Sequence, residues 1–235
     1  MRRAPLVLAV ALTAAASAQP RTAPPLPDTT ARRYGSSAAL VLTLSESGLG
    51  AGGALRGRLS DDWSLTLDLT LGAGRDEREQ SFGGGLFGER VTPNKRNSVL
   101  LAPLQIGAER RLFRDRIEDN FRPFVAASAG PTLAVQWPYF DDLDGDGRRD
   151  DGTEPLTPGL QGFGDGELRL GVGGTLSVGA AFGRSRSASP SIRFGVQGLY
   201  FPVEVDLLEI TPLVDNPSRH AFVTPVVSFH VARLL

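Results

Sequence analysis

The sequence predicts an all-β fold, namely an eight-stranded antiparallel up-and-down transmembrane β-barrel. Three observations lead to this prediction: the alternation of apolar and polar residues in eight segments, the alternation of short and long connections between them, and the charged residues on the polar face. Because successive side chains of a strand point to opposite sides, such alternation gives each strand one apolar face and one polar face.

The segment that begins at Trp63 shows the alternation most clearly. A helix would distribute its leucines around the whole circumference. In a soluble sheet the apolar face would line the core, whereas in an outer-membrane barrel it would face lipid and the polar face would line the lumen. The apolar positions are Trp63, Leu65, Leu67, Leu69 and Leu71, and the polar positions are Ser64, Thr66, Asp68 and Thr70.

Seven further segments alternate, and the sixth does so almost as clearly as the third. In the sixth, Leu168, Leu170 and Val172 share one face, and in the eighth Val227 and Phe229 do. The eight predicted strands run from about Ser37–Ser45, Gly50–Leu59, Trp63–Gly74, Ser98–Arg110, Phe121–Trp137, Glu167–Phe182, Ser191–Val203 and Ala221–Leu235.

The connections between these segments alternate in length. Short turns lie near Ser60–Asp62, Arg114–Asn120 and Arg184–Pro190, whereas long loops span about Arg75–Asn97, Pro138–Gly166 and Glu204–His220. The first hairpin, near Glu46–Gly48, is the exception. Short turns on one rim and long loops on the other are typical of outer-membrane barrels, whose short turns are periplasmic.

The polar face carries charges of nearly balanced sign, four positive and three negative, spread over five strands. These charges should pair if the face lines a narrow lumen. A soluble lipocalin-like barrel would place apolar residues inside and many lysines outside, but Lys95 is the only lysine of the chain. The membrane barrel is therefore favoured. The seven residues are Arg56, Arg58, Asp68, Glu109, Glu167, Arg169 and Arg193.

The N-terminus has the pattern of a secretory signal peptide. Arg2 and Arg3 precede an apolar stretch from Leu6 to Ala16, and small residues at 16–18 fit a cleavage site before Gln19. The predicted organisation is a signal peptide at 1–18, a proline-rich periplasmic leader at 19–35 and the barrel at 36–235. The chain has no cysteine and a net charge of −1, so neither a disulfide framework nor a nucleic-acid partner is expected.

Two stretches give a family resemblance. The segment 102–110 (APLQIGAER) and the segment 121–130 (FRPFVAASAG) are similar to strands of the small eight-stranded outer-membrane barrels of the OmpA/OmpX type. The resemblance covers about residues 36–235. It implies residence in the bacterial outer membrane, contact with outer-membrane lipid, insertion by the barrel-assembly machinery and a monomer. The chain differs from that family at its end, which is Leu234-Leu235 rather than an aromatic residue.

The fifth connection contains the sharpest local motif, four aspartates with a glycine at the sixth position. This spacing matches the first part of a calcium loop, in which oxygens alternate toward the ion and glycine permits the turn. The position of the bidentate glutamate holds Thr153, and Glu154 follows one residue late. The alternative is a solvated acidic loop tip. The predicted calcium ligands are Asp142, Asp144, Asp146, the Arg148 carbonyl and Asp150.

A hydrolytic enzyme would need a base, and the chain has two histidines, His220 and His230. Ser228 and His230 share a face, as in lipid-modifying barrels, but their order in the chain is reversed and no acid lies nearby in sequence. We expect no contact between them and no catalytic site. The leading hypothesis is a structural or surface-interaction barrel; a small diffusion channel is the alternative, followed by a lipid-modifying hydrolase.

Overall fold

The computed structural model describes residues 36–46, 48–76, 78–79, 92–118, 120–150, 153–157, 160–183, 189–209 and 218–234, except the side chains of 233 and 234. The predicted signal peptide and leader lie outside these residues. The described residues form eight antiparallel strands, each paired with its neighbours in the chain, and the last strand pairs with the first to close the ring. The predicted eight-stranded up-and-down barrel is therefore confirmed.

The strands are β1 (Ser36–Ser45), β2 (Gly48–Arg58), β3 (Trp63–Gly74), β4 (Asn97–Arg111), β5 (Phe121–Pro138), β6 (Glu167–Phe182), β7 (Ser191–Asp206) and β8 (Ser218–Leu234). The predicted bounds of β3 and β6 agree with these. β7 extends three residues beyond its prediction and β8 begins three residues earlier, because pairing continues there after the alternation of side chains has ended.

The two ends of the barrel differ. The short-turn rim contains the start of β1, the end of β8 and the turns around Ser60, Arg114 and Gly183, and the other strand ends lie at the long-loop rim. The hairpin between β1 and β2, from Ser45 to Gly48, is the one short connection predicted on the long-loop rim. Gly48 has a φ of +120°, a conformation that favours glycine. No helix among the described residues is long and apolar enough to cross a membrane.

One seam in the barrel wall lies at the long-loop rim, between β6 and β7. Their pairing begins at Val172 and Tyr200, so the first five residues of β6, Glu167–Gly171, pair with β5 alone. On its other side β7 bulges after Tyr200 and pairs again with β8 at Val205. Pro202 lies within this bulge and has no N–H to donate, which accounts for part of the interruption.

Candidate functional site: outer belt, lumen and long loops

The outer surface of the barrel is a continuous apolar belt. Seven of the eight predicted outward residues are exposed, from 37% for Leu67 to 72% for Leu170, and Val227 is half-buried. The sequence prediction that these side chains face outward is confirmed. The described residues form no apolar core in the middle of the barrel, such as a soluble barrel would have. The predicted outward residues are Leu65, Leu67, Leu69, Leu168, Leu170, Val172, Val227 and Phe229.

Aromatic side chains gather at both rims of this belt. At the short-turn rim Phe121 and Phe182 pack with their ring centroids 5.6 Å apart. Trp63 lies at the same rim, with the Arg110 guanidinium carbon 5.6 Å from its ring centroid. At the long-loop rim the exposed Phe163 of the 3₁₀ helix Gln161–Asp165 packs edge-on over the buried Trp137, with their ring centroids 5.3 Å apart. Aromatic residues at two levels are typical of the two interfaces of a bilayer.

Near the short-turn rim the lumen is closed by a group of charged side chains that bind one another. Glu109 is 3% exposed and accepts hydrogen bonds from Arg56 and, at 3.4 Å, from Arg193. The Arg193 guanidinium also lies 5.5 Å from the ring of the buried Phe124. Three of the seven charges predicted to line the lumen therefore meet across it, and two cations share one buried carboxylate.

The other four predicted charges do not join this group. Arg58 binds Asp61 on the adjacent turn, and Arg169 binds Glu167 within β6 near the long-loop rim. Asp68 faces the lumen, but its Oδ1 atom has no hydrogen-bond partner in the described part of the chain. The prediction that these charges pair with one another thus agrees with the structure for Arg56, Arg193 and Glu109 and for Arg169 and Glu167. Arg58 instead pairs with Asp61, which is not one of the seven.

A polar cavity of about 60 Å³ lies in the middle of the lumen, enough for a few water molecules. Gln105 is 5% exposed and its Oε1 accepts hydrogen bonds from Ser128 at 2.7 Å and from Thr175 at 2.9 Å. The Nε2 atom of Gln105 has no partner among the described residues. Water in this cavity can satisfy both Gln105 and Asp68, which also lines it.

Ser228 and His230 also line this cavity, and the expectation that they do not meet is wrong. The Ser228 Oγ and His230 Nε2 atoms are 3.3 Å apart, within hydrogen-bond reach. Two residues apart on one strand, their side chains point into the same narrow lumen, which brings them together. No carboxylate among the described residues binds His230, so the third member that orients a catalytic imidazole is missing there.

An apolar plug fills the lumen at the long-loop rim. Its side chains come from the long-loop ends of three strands, β4, β5 and β7, and from the chain that follows β7, where Leu207 is fully buried. Phe222 packs against it, its ring edge-on to that of Phe201 at 6.0 Å. The prediction that the inner face of the barrel is polar is therefore wrong at the long-loop rim. The plug consists of Val99, Leu101, Ala134, Leu199, Phe201, Val205, Leu207 and Leu208.

The chain after β7 is held in the plug by backbone hydrogen bonds. The Arg96 and Asn97 amides donate to the Leu207 carbonyl at 2.9 and 3.3 Å, and the Glu209 amide donates to the Asn94 carbonyl at 2.9 Å. The seventh connection was assigned as an outward loop, but its first residues fold inward. Leu207 and Leu208 were a possible signal, because two adjacent leucines are unusual in a solvated loop.

An ion cluster that was not predicted from the sequence connects the long loops. Asp76 is 5% exposed and accepts hydrogen bonds from Arg78 at 2.8 Å and from Arg219 at 2.9 Å. Glu79 accepts from Lys95 at 3.1 Å. Burial raises the pKa of Asp76, but the hydrogen bonds from Arg78 and Arg219 outweigh burial and hold the pKa well below its usual range.

The acidic loop brings three of its four predicted aspartates together. One carboxylate oxygen from each of Asp142, Asp144 and Asp146 lies within 4.8 Å of the others. Asp142 already accepts hydrogen bonds from the Gly145 and Gly147 amides at 2.7 and 2.9 Å, and both glycines have positive φ. Asp150 is not a member of this group, so its predicted role as a fourth side-chain ligand has no support from the geometry.

Glu154, the glutamate one residue late, closes the acidic loop rather than joining the three aspartates. It is 4% exposed and accepts hydrogen bonds from the Leu143 amide at 2.7 Å and the Asp150 amide at 3.0 Å. Glu209 binds the Arg149 amide at 3.2 Å, and burial raises the pKa of its carboxyl, with a smaller contribution in the same direction from Asp146.

No protein-family model matches the chain, and no curated protein is similar to it in sequence. Several solved structures are similar to it, including the following three. The crystal structure of Neisserial surface protein A is 11% identical over 85% of this chain and 94% of that one, with a TM-score of 0.39. The N-terminal β-barrel domain of Pseudomonas aeruginosa OprF is 9% identical over 86% and 98%, with a TM-score of 0.36.

The third structure is Ail, the attachment invasion locus protein of Yersinia pestis, in complex with the heparin analogue sucrose octasulfate. It is 10% identical over 85% of this chain and 95% of that one, with a TM-score of 0.34. All three are eight-stranded outer-membrane β-barrels, the group that the sequence resembles. The barrel of the present chain is established by its own strand pairing.

Proposed function

We propose that this protein is an integral barrel of the bacterial outer membrane with a structural or surface-interaction role and no catalytic activity. The observation that carries the proposal is the inversion of polarity in the middle of the barrel: Leu67 and Leu69 are exposed outside, whereas Gln105 and Glu109 are buried inside. Exposure of such a belt to water would cost about 25 cal/mol of free energy for each Å² of apolar surface. Lipid removes that cost.

In this proposal the short-turn rim is periplasmic and the long loops face outward. The plug and the Glu109 ion group close the lumen at its two ends, which supports the structural role over the alternative of a small diffusion channel. Eight strands leave an interior that side chains fill. The protein acts through its surface, and the long loops held by the Asp76 cluster are the part that reaches the medium.

Reconstitution into planar bilayers tests this proposal. The purified protein should insert, as shown by protection of the barrel from added protease, and should give no steady conductance above that of the protein-free membrane. Failure to insert into any bilayer would overturn the membrane assignment. Insertion with steady channels would instead favour the diffusion channel, and Phe201→Ala, which thins the plug, serves as a sensitised variant for the same recording.

We further propose that calcium orders the acidic loop. The convergence of Asp142, Asp144 and Asp146 supports it, since Ca²⁺ takes carboxylate and carbonyl oxygens as ligands, and the Arg148 carbonyl is the next candidate. Asp142 is oriented in advance by two backbone amides. The ion would fix the outward loop and would leave the barrel unchanged.

Isothermal titration with CaCl₂ tests the calcium proposal. The native protein should bind with a dissociation constant of about 10⁻⁴–10⁻³ M, as extracellular calcium sites do. Asp144→Ala/Asp146→Ala should abolish the binding heat, and Asp115→Ala, an exposed carboxylate at the short-turn rim, should leave it unchanged. Equal heats from all three proteins at millimolar Ca²⁺ would show that the loop tip is acidic and nothing more.

A further inference from the structure

Arg110 interrupts the apolar belt at the short-turn rim. It lies near the end of β4, its side chain is exposed, and it points outward because Glu109 before it points into the lumen. In the strand register it lies between Trp63 of β3 and Val125 of β5, both of which are exposed on the same outer face. A guanidinium therefore lies where the proposed function places the boundary between lipid and periplasm.

No carboxylate among the described residues forms an ion pair with Arg110. Its guanidinium carbon instead lies 5.6 Å from the centroid of the Trp63 ring. Two acids of the adjacent turn bind other arginines: Asp61 binds Arg58 and Arg114, and Asp62 lies 3.7 Å from Arg114. The positive charge of Arg110 is thus left for a group outside the described protein.

An arginine and a tryptophan together suit one kind of lipid group. The guanidinium fork binds a phosphate through two parallel hydrogen bonds. Trp63 covers one face of that fork, and indole rings lie at the level of lipid headgroups in membranes. In a zwitterionic lipid the phosphate has its own ammonium partner, whereas in an anionic phospholipid such as phosphatidylglycerol the phosphate has none. The complementary ligand is therefore the phosphodiester of an anionic phospholipid.

We propose that Trp63 and Arg110 form a binding site for the phosphate of an anionic phospholipid in the periplasm-facing leaflet. The proposal rests on the membrane location argued above. An exposed basic residue near a charged membrane surface contributes about 1 kcal/mol, so anionic lipid should be enriched about fivefold at this site. The site holds one lipid at a defined point of the rim, next to the aromatic pair Phe121 and Phe182.

Quenching of tryptophan fluorescence by brominated lipids measures this enrichment. Trp137→Phe makes Trp63 the only tryptophan of the chain. The protein is reconstituted into phosphatidylcholine vesicles that contain a minor fraction of brominated phosphatidylglycerol or of brominated phosphatidylcholine. Trp63 should report an apparent local concentration of phosphatidylglycerol about fivefold higher than that of phosphatidylcholine, and the ratio should fall as NaCl is added.

Two variants identify the residue responsible. Arg110→Gln should bring the ratio close to one, and Arg110→Lys should keep a smaller preference because an ammonium lacks the fork. Arg114→Gln is the matched control, since it removes an arginine at the same rim that Asp61 already neutralises, and it should keep the native ratio.

Three results would overturn the proposal: a native ratio of one, a native ratio that 0.5 M NaCl leaves unchanged, or an Arg110→Gln protein with the full preference. The salt result comes from the native arginine, so it decides the matter even if Arg110→Gln does not fold. Absence of quenching by either brominated lipid would have a different meaning, because Trp63 would then lie outside the bilayer and the membrane location itself would be wrong.

Discussion

Among single residues, Glu109 is the one on which closure of the lumen at the short-turn rim depends. It is the carboxylate shared by Arg56 and Arg193, and it is almost fully buried. Two half-buried cations therefore share this single buried anion. Its removal would therefore leave both arginines without a counter-ion in a narrow space, which is the costly way to break a buried ion pair.

Glu109→Gln should lower the free energy of unfolding by about 3 kcal/mol, near the low end for a broken buried pair, because glutamine still accepts one hydrogen bond. Urea titration of the barrel in vesicles, followed by tryptophan fluorescence, measures this change. Asp61→Asn is the control: it also binds two arginines but is 42% exposed, so its loss should cost less than about 1 kcal/mol. Equal effects of the two variants would show that burial of Glu109 is not what makes it important.

Asp76 predicts a dependence of stability on pH. Because its pKa in the folded protein lies below the unfolded value of about 3.9, its ion pairs stabilise the fold above that value. This contribution is lost as the pH falls through the lower folded pKa. The difference in unfolding free energy between the native protein and Asp76→Asn should therefore be constant from about pH 7 to pH 5 and shrink toward pH 2. A difference that grows on acidification would contradict this pairing.

The faces of these residues could be predicted from the sequence, but their partners could not. Alternation is a local property with a period of two residues, so Asp68, Glu109 and Arg193 were placed in the lumen correctly. Which of them meet depends on how far each strand is shifted against the next, and no local pattern records that shift. The contact between Ser228 and His230 does not depend on this shift, because the two residues lie two apart on one strand and share a face; their spacing was a signal for the contact.

Among the strands, β6 shows how the plug is accommodated. Gly171 faces inward, and a Cβ atom there would lie 2.4 Å from the Tyr200 carbonyl oxygen and 2.6 Å from the Phe201 ring. The missing side chain makes room for Phe201, the fully buried aromatic of the plug. Alternation fails at this end because both faces of the upper strands are apolar, and the plug was therefore not predicted.

Gly171→Ala should destabilise the barrel by about 1–3 kcal/mol, the usual effect of forcing a methyl group into a filled interior. Gly198→Ala is the matched control on the neighbouring strand, since a Cβ atom there meets nothing within 4 Å, and it should change stability by less than about 0.5 kcal/mol. The two variants can be compared by urea titration in the same vesicles. Similar values would show that the plug yields to an added methyl group.

For the whole molecule, the cost in stability of a charge on the belt depends on the depth at which the substituted residue lies in the bilayer. Leu67 is near the middle of β3, whereas Leu49 is at the tip of the first hairpin on the long-loop rim and is 79% exposed. Leu67→Arg should cost about 2–4 kcal/mol in a bilayer, and Leu49→Arg about 0–1 kcal/mol. Denaturant titration in lipid vesicles measures both. Equal costs would mean that the belt is not aligned with the hydrocarbon.

The seam between β6 and β7 limits the bilayer thickness that the protein can match. Hydrocarbon offers no hydrogen bonds, so the backbone groups of Glu167–Gly171 that lack β7 as a partner must stay among headgroups or water. On this side of the barrel the acyl chains should therefore end near Val172, so that Leu168 and Leu170, the last belt residues of β6, lie at the level of the headgroups. Thicker membranes would have to thin locally or tilt the barrel. Insertion into vesicles of lengthening phosphatidylcholines should accordingly become slower and less complete once the acyl chains exceed that height.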